Sequence, residues 1–208
     1  MNIKTLRVAG IEEALHAMRH PKESYARADS VFTPEEEYIG PQDEDLTLRL
    51  EKAGPEHAKH LRMMMVWLEV TAPRYWYIEM DTYRIGVEKI STSTMHKLMS
   101  RPIELDDFEN DEEDIALEYA VRVLNARMAE WHNETDKEKS KEIWRSIIQL
   151  LPQSYLQTRT MMMSYAAIRN IVKQRRGHKL KEWHQFIEWA HTLPEADTLI
   201  FGGFDGSD

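Results

Sequence analysis

The feature that most constrains the fold of this chain is an apolar run that ends close to a proline. Residues 61–70 read Leu-Arg-Met-Met-Met-Val-Trp-Leu-Glu-Val, and Pro73 follows three positions later. Successive side chains of a strand point to opposite faces, and here both faces are largely apolar. The run therefore predicts a central strand that is covered on both sides. Pro73 is expected to end this strand and to open a helix over residues 74–83.

Apolar spacing along the rest of the chain predicts mainly helices. Residues 1–8 are compatible with a short strand, and a first helix follows them. Residues 20–45, rich in proline and acids, predict an irregular, mobile segment before a short helix that ends at Gly54. Strong amphipathic patterns predict two further helices, and a long helical region with a break at Gly177 is expected after them. These three stretches are residues 117–131, 137–150 and 157–191.

Together these elements predict a helix-rich α/β (α+β) chain with a small mixed or antiparallel sheet. The chain has 208 residues, which is enough for one domain with a sizeable core. We expect this domain to span residues 1–200, and we expect residues 201–208 to form a flexible tail.

Charge and composition exclude several classes of function. Lys and Arg total 27 against 36 Asp and Glu, a net charge of −9 that opposes general binding to a nucleic-acid polymer. A local basic pocket for one nucleotide remains open. The chain has no cysteine, so thiolate chemistry is excluded. No apolar run approaches the ~20 residues of a membrane span, and the first residues lack a signal-peptide core, so we expect a cytoplasmic protein.

Common catalytic motifs are absent, and two clusters allow more than one interpretation. His57, His60 and Glu56 allow a metal site, although the sequence indicates no further ligand. Basic residues between positions 169 and 181 form either a solvated helix face or an anion pocket. Among them Arg175 lies near the apolar stripe of its helix, so its guanidinium is placed to reach a buried or interfacial anion.

Residues 70–98 combine aromatic side chains, a central Arg84 and a run of hydroxyls. This segment resembles the signature region of the flavin-dependent thymidylate synthases, Arg-His-Arg-x-x-Ser-x-Asn-x-x-Ser-x-Arg-Tyr. Val70-Thr-Ala-Pro73 matches the break before the signature, Arg84 matches its third arginine, and Thr92 falls on its final serine. Leu151-Pro152 matches a downstream Leu-Pro, and the resemblance covers about half of the chain. The chain also looks like a group of uncharacterised, phage-type relatives of this family.

Several signature positions carry other residues here. Thr82 and Tyr83 replace the first arginine and the histidine, and the closing Arg-Tyr becomes Thr94-Met95. Val87 and Lys89 replace a serine and an asparagine. Arginines hold phosphates through paired, charged hydrogen bonds, so these losses weaken ligand binding unless other cations replace them. The candidate replacements are Arg74, Lys89, Arg145, Arg159 and Arg169.

The resemblance implies chemistry in which a reduced flavin, FAD, delivers hydride to the pyrimidine of dUMP while a folate donates the carbon. It also implies a homotetramer with sites formed between subunits. The residues implied at the flavin are His57, Arg84 and Asn170, and those implied at the nucleotide are Thr92, Arg175 and Glu79. Two hypotheses follow: an enzyme of this type acting on a pyrimidine deoxynucleotide, or a non-catalytic nucleotide- or protein-binding relative that keeps the scaffold.

Overall fold

A computed structural model describes residues 1–111 and 114–203 of the chain. Its strands are β1 (Asn2–Ala9), β2 (Val31–Phe32), β3 (Glu37–Tyr38), β4 (Met65–Pro73), β5 (Val87–Ser91) and β6 (Leu156–Ser164). Its helices are α1 (Ile11–Met18), α2 (Pro41–Lys52), α3 (Arg74–Met80), α4 (Thr94–Lys97), α5 (Ile115–Asn133), α6 (Lys137–Leu150), α7 (Tyr165–Arg175), α8 (Lys181–Ala190) and α9 (Ala196–Leu199).

Four strands form the main sheet in the order β1-β4-β6-β5, so β4 and β6 are central and β5 is an edge strand. A small second sheet pairs β2 with β3 antiparallel, with Val31 opposite Tyr38. The predicted fold class, a helix-rich α/β chain with a small sheet, is confirmed. No helix within the described residues is long and apolar enough to cross a membrane.

The apolar run at residues 61–70 forms a central strand, but only one of its faces is fully covered. Residues 59–62 form a short 3-10 turn, and the strand itself begins at Met65. Met64, Val66, Leu68 and Val70 are completely buried. The opposite face was predicted to be covered too, and this is wrong for the single chain: Trp67 is only half-buried there.

The predicted long helical region begins later than expected, because residues 157–164 belong to strand β6. Burial alternates along this strand: Met161 and Met163 are buried, whereas Thr160 is exposed. A short apolar run with β-branched threonines fits a strand as well as a helix, and here the strand pairing prevails. Ser164 then ends β6 and caps α7, since its hydroxyl accepts from the amide of Ala167 at 3.2 Å.

The segment predicted to be irregular, residues 20–45, contains the β2–β3 pair and is anchored by a buried ion pair. The Arg19 guanidinium lies 2.6 Å from the Asp43 carboxylate, and both side chains are 3% exposed. The second oxygen of Asp43 accepts from the amides of Asp29 and Ser30, both at 3.1 Å, and from the Ser30 hydroxyl at 2.7 Å. A carboxylate satisfied in this way fixes the loop against the start of α2.

The chain divides into two compact units. The first unit comprises Met1–Asn2, Val70–Thr82 and Ile90–Arg159, and the second comprises Ile3–Glu69, Tyr83–Lys89 and the chain from Thr160 onward. In the first unit α5 packs on α6 around an apolar core that includes Leu124, Met128 and Ile147. In the second unit, residues 59–62 pack against α1 and α7, and α7 packs against α8.

The predicted tail begins with residues that contact the second unit. Phe201 stacks on His191 with ring centroids 3.6 Å apart, and the Gly202 carbonyl accepts from Arg169 at 2.7 Å. Residues 204–208 lie outside the described part of the chain. The limits proposed for the domain and the tail stay a prediction.

Candidate functional site

The clearest polar cluster in the second unit surrounds Arg175, at the end of α7. Its Nε donates to the Tyr83 hydroxyl at 2.9 Å. The carbon of its guanidinium lies 4.7 Å from the ring centre of Trp183 and 5.5 Å from that of Tyr83. Trp183 is completely buried on α8. Contacts with two aromatic rings and the hydrogen bond to Tyr83 therefore help to set the plane of this guanidinium.

A chain of hydrogen bonds continues from Arg175 along α7. The Tyr83 hydroxyl donates to Gln174 Oε1 at 3.0 Å, and Gln174 Nε2 donates to Asn170 Oδ1 at 3.0 Å. The structure thus brings together two of the predicted site residues, Asn170 and Arg175, through Gln174 and Tyr83. Asn170 is exposed and Arg175 is half-buried, so the cluster lies at the surface of the unit.

The turn that carries Tyr83 is held against the start of α7 by Gly86. This glycine has a φ of 69°, and its carbonyl accepts from the Ser164 amide at 3.0 Å. A Cβ at this position would lie 2.7 Å from the Ser164 hydroxyl. Glycine is required here for both its conformation and its small size. The same contact therefore fixes the turn to the helix that bears Arg175.

Arg84 and His57, the other predicted flavin residues, lie in loops of the second unit. Arg84 is exposed. His57 follows α2 and is exposed, with its Nε2 3.7 Å from the Glu56 carboxylate. Both side chains are accessible to a ligand, and the structure shows no contact between them.

Thr92, predicted at the nucleotide, lines a cavity of about 360 Å³ in the first unit. Its amide donates to the Thr158 carbonyl at 2.9 Å, and its own carbonyl accepts from Gln157 at 2.9 Å. The hydroxyls of Thr71 and Thr158 are 2.8 Å apart on the same wall. Arg101 also lines this cavity and is paired with Asp107, which lowers the pKa of that carboxyl. The cavity has the volume of a small-molecule site and a hydroxyl-rich wall.

Glu79, the remaining predicted nucleotide residue, is half-buried on α3 in the first unit. Near the end of α3, Arg159 lies over the Tyr77 ring at 3.8 Å and binds the Asp81 carboxylate at 2.7 Å. Burial raises the pKa of Tyr77, whose hydroxyl donates to the Val70 carbonyl at 2.7 Å. Arg159 was a candidate replacement for the lost signature arginines, but its position on Tyr77 and Asp81 gives it a structural role.

Arg169 is a second candidate replacement with structural contacts. It lies 2.7 Å from the Glu51 carboxylate and donates to the Ile200 carbonyl at 2.8 Å. Burial raises the pKa of Glu51 to about 7, and the charge of Arg169 opposes that rise. Among the other candidates, Arg74 is half-buried, Arg145 is exposed, and Lys89 donates to the Tyr83 carbonyl at 3.4 Å.

The metal interpretation of His57, His60 and Glu56 gains no support. His60 is only 3% exposed, and neither of its ring nitrogens has a hydrogen-bond partner among the residues that the structure describes. Within the same residues no group of three histidines, cysteines or carboxylates is placed to hold a metal ion.

The sequence predicts Asn170 and Arg175 as site residues, but it does not indicate the residues that they contact in the structure. Trp183 was assigned to the core, which is confirmed, and it also forms the surface on which Arg175 stacks. In the signature comparison Tyr83 appears only as the replacement of a histidine. An aromatic residue with a hydroxyl inside a signature region was a usable signal, but its partner lies 92 positions away.

The fold is that of the flavin-dependent thymidylate synthases, although no family model and no curated protein matches this chain. The flavin-dependent thymidylate synthase ThyX from Helicobacter pylori, complexed with FAD and dUMP, aligns with a TM-score of 0.70 and 16% identity. That alignment covers 97% of this chain and 98% of the other. A second Helicobacter pylori ThyX structure with the same two ligands has a TM-score of 0.72, 16% identity and coverage of 97% of both chains.

A third solved structure extends the similarity to another protein. The UMP/dUMP methylase PolB from Streptomyces cacaoi, bound to 5-Br dUMP, has a TM-score of 0.61 and 17% identity. The match covers 95% of this chain and 94% of PolB. At these identities the similarity establishes the fold, and the activity has to be argued from the residues.

Proposed function

We propose that this protein is a divergent flavin-dependent thymidylate synthase-like protein that binds a pyrimidine deoxynucleotide of the dUMP type together with FAD. The observation that carries the proposal is the oriented guanidinium of Arg175, at the end of α7, in a fold whose solved members hold those two ligands. An arginine fixed by an aromatic face and a hydrogen bond is preorganised for a planar or anionic ligand.

The residues assigned to the flavin fit a ligand that carries phosphates and ring acceptors. Arg84 presents a guanidinium to solvent, and His57 and Asn170 present an imidazole and an amide. Bound FAD would supply hydride transfer to the pyrimidine. The protein groups would hold and orient it, with Arg84 as the cation for its phosphates.

The residues assigned to the nucleotide offer different groups. Arg175 provides a cation, Thr92 provides a hydroxyl at the wall of the 360 Å³ cavity, and Glu79 provides a carboxylate on α3. A carboxylate and a hydroxyl suit the polar edge of a pyrimidine, and a guanidinium suits a phosphate or a developing negative charge. Reductive methylation of dUMP to dTMP is the reaction that this set would serve.

The proposed assembly is a homo-oligomer, and we favour a tetramer. Ile85 precedes the edge strand β5 and Ile90 lies within it, and they are 89% and 80% exposed. Burying exposed isoleucines is favourable, so we propose these two residues as candidates for contact with a second copy. The same proposal includes one domain over residues 1–200 with a flexible tail, and a cytoplasmic location, which is the host cytoplasm if the chain is phage-encoded.

A non-catalytic relative is the second candidate function, and the altered signature favours it. Val87 replaces a serine and is buried, and Tyr83 and Lys89 make contacts within their own unit. In this candidate function, these positions would stabilise the scaffold instead of contacting a flavin. A protein of this kind would bind the nucleotide or a protein partner without producing dTMP.

Replacing Arg175 by alanine tests nucleotide binding. We expect dUMP to raise the Tm of the wild type, and Arg175→Ala to abolish this shift, because a hydrogen bond to a charged group contributes about 1.5–3 kcal/mol. That loss corresponds to a dissociation constant that is roughly 10- to 150-fold larger. Arg122→Ala, which removes an exposed arginine on α5, is the matched control and should keep the full shift.

Two further measurements separate the two candidates. A flavin absorption band in the purified protein, or a Tm shift on adding FAD, supports the flavoprotein, and dTMP formation from dUMP then supports the enzyme. If dUMP is bound but no flavin and no dTMP are found, the non-catalytic relative is correct. If neither FAD nor dUMP changes the Tm, the proposed function fails.

A further inference from the structure

We infer that Tyr83 is a positioning residue that orients Arg175 toward the bound nucleotide. This inference rests on the proposed function and adds a residue to its site. Tyr83 stands where the signature has a histidine, so it brings a hydroxyl that the signature residue does not have. Its hydroxyl is the group that meets Arg175 Nε, at 2.9 Å.

The hydrogens of the cluster point in one direction. Arg175 Nε–H donates to the Tyr83 oxygen, the Tyr83 hydroxyl donates to Gln174 at 3.0 Å, and Gln174 donates to Asn170 at 3.0 Å. Tyr83 and Gln174 each accept one bond and donate the next, so the bonds polarise one another in the same sense. Breaking the Tyr83 bond removes the hydrogen bond that ties the guanidinium to this chain.

A phenol suits this position because a single oxygen accepts one hydrogen bond and donates another. A ring nitrogen of histidine does only one of these in a given tautomer. The hydroxyl is also neutral, so this bond orients the cation without adding an opposing charge. In the first unit, by contrast, Arg159 is held by the carboxylate of Asp81 at 2.7 Å.

The surroundings hold Tyr83 in place from both sides. Its ring lies edge-on to the buried Trp183, with centroids 6.1 Å apart. Its carbonyl accepts from Lys89 Nζ at 3.4 Å, and Gly86 ties the same turn to Ser164 at the start of α7. Contacts other than the Tyr83 hydroxyl therefore fix this turn to the helix that carries Arg175. Removing the hydroxyl alone should change the structure only locally.

Tyr83→Phe removes the hydroxyl and keeps the ring. We expect the dissociation constant for dUMP, measured by isothermal titration, to rise about tenfold, which is the low end for losing a hydrogen bond to a charged group. Tyr25→Phe is the matched control, because the Tyr25 hydroxyl makes a bond of similar length, 2.9 Å, to His20 in the same unit. This control should bind dUMP as the wild type does.

A double-mutant cycle distinguishes a positioning role of Tyr83 from a purely structural one. Arg175→Lys keeps the positive charge but has no Nε–H, so Tyr83→Phe should change dUMP affinity less than about twofold in that background. Gln174→Met removes the bonds that Gln174 makes to Tyr83 and Asn170 but keeps the bond between Tyr83 and Arg175, and it should weaken dUMP binding less than Tyr83→Phe does. A structural role would instead lower the Tm and leave the cycle additive.

The outcomes separate this inference from the function on which it rests. If the wild type does not bind dUMP, the proposed function fails and the role of Tyr83 fails with it. If the wild type binds dUMP and Tyr83→Phe binds equally well, only the positioning role is wrong. Additive losses in the cycle, or a larger loss for Gln174→Met, also overturn it.

Discussion

The two compact units differ in what they bury. The first unit has an apolar core, with Leu98, Phe108, Leu124 and Ile147 among its members. All of the buried polar or charged side chains among the described residues lie in the second unit. They are Arg19, Asp43, Thr47, His60, Ser164 and Glu182. The first unit therefore depends on apolar burial, whereas the second also depends on ion pairing and protonation.

The unit that buries polar side chains is also the unit that carries most of the predicted site residues. The second unit carries His57, Arg84, Asn170 and Arg175, and its helix α7 contacts several buried polar groups. Buried polar groups are costly unless they are satisfied, so they restrict how the surrounding elements can pack. Three stability measurements test whether the two units differ in the way this comparison requires.

The largest effect is expected at the buried pair of the second unit. Arg19→Ala leaves the Asp43 carboxylate buried without its cation and should lower the free energy of unfolding by about 3–5 kcal/mol. Arg49→Ala is the matched control, because Arg49 pairs with Asp45 at 2.7 Å on the exposed face of α2. It should cost less than about 0.5 kcal/mol. Equal losses in chemical denaturation would show that the second unit does not depend on its buried ion pair.

The second effect is a pH dependence from His60. Burial lowers the pKa of His60 to about 4 from its ordinary value of 6.5. Between these values the unfolded chain binds a proton that the folded chain does not. The stability is therefore present above pH 6.5 and is lost as the pH falls to 4, by about 3 kcal/mol in total.

Urea unfolding at pH 7 and pH 4 measures the contribution of His60 to the pH dependence of the free energy of unfolding. His60→Leu should lose about 3 kcal/mol less than the wild type between the two pH values, since other titrating groups are common to both proteins. His57→Leu, at an exposed histidine, should behave as the wild type does. A parallel loss in wild type and His60→Leu would show that His60 does not set the acid sensitivity of the second unit.

The smallest effect is expected in the apolar core of the first unit. Ile147 is completely buried on α6, and Ile147→Val removes one methylene, at a cost of about 1 kcal/mol. This cost should be the same at pH 5 and pH 7, because the core that Ile147 contacts is apolar. Ile115→Val, at a largely exposed position on α5, should change stability by less than about 0.5 kcal/mol. A cost that varies with pH would contradict the comparison.

Periodic elements were predictable where a single period explains the pattern. Helix α6 runs from Lys137 to Leu150 as predicted, and α5 contains the predicted stretch 117–131, because their apolar residues recur at helical spacing only. Residues 157–164 were assigned wrongly, since a short run with Met161-Met-Met163 fits either period. Which one forms depends on hydrogen bonds to neighbouring strands that are distant in the sequence.

In the candidate site, too, some features could be predicted from the sequence and others could not. The resemblance predicts Arg175 and Asn170 by their positions after Leu151-Pro152, and Thr92 by its hydroxyl in the signature region, and these roles stay predictions. The sequence could not show whether a given arginine is oriented toward a ligand or is held by contacts within the fold. That depends on its partner, and the partners lie 92 positions away for Arg175 and 78 for Arg159.

The sequence by itself determined the helix-rich class, the strand that ends at Pro73 and the residue types available for chemistry. Local spacing and side-chain chemistry act over a few residues, so they can be read from the chain directly. Only the tertiary structure decided that Asp81 holds Arg159 and that Tyr83 and Trp183 orient Arg175. Those contacts form when distant segments pack together, and no local pattern specifies them.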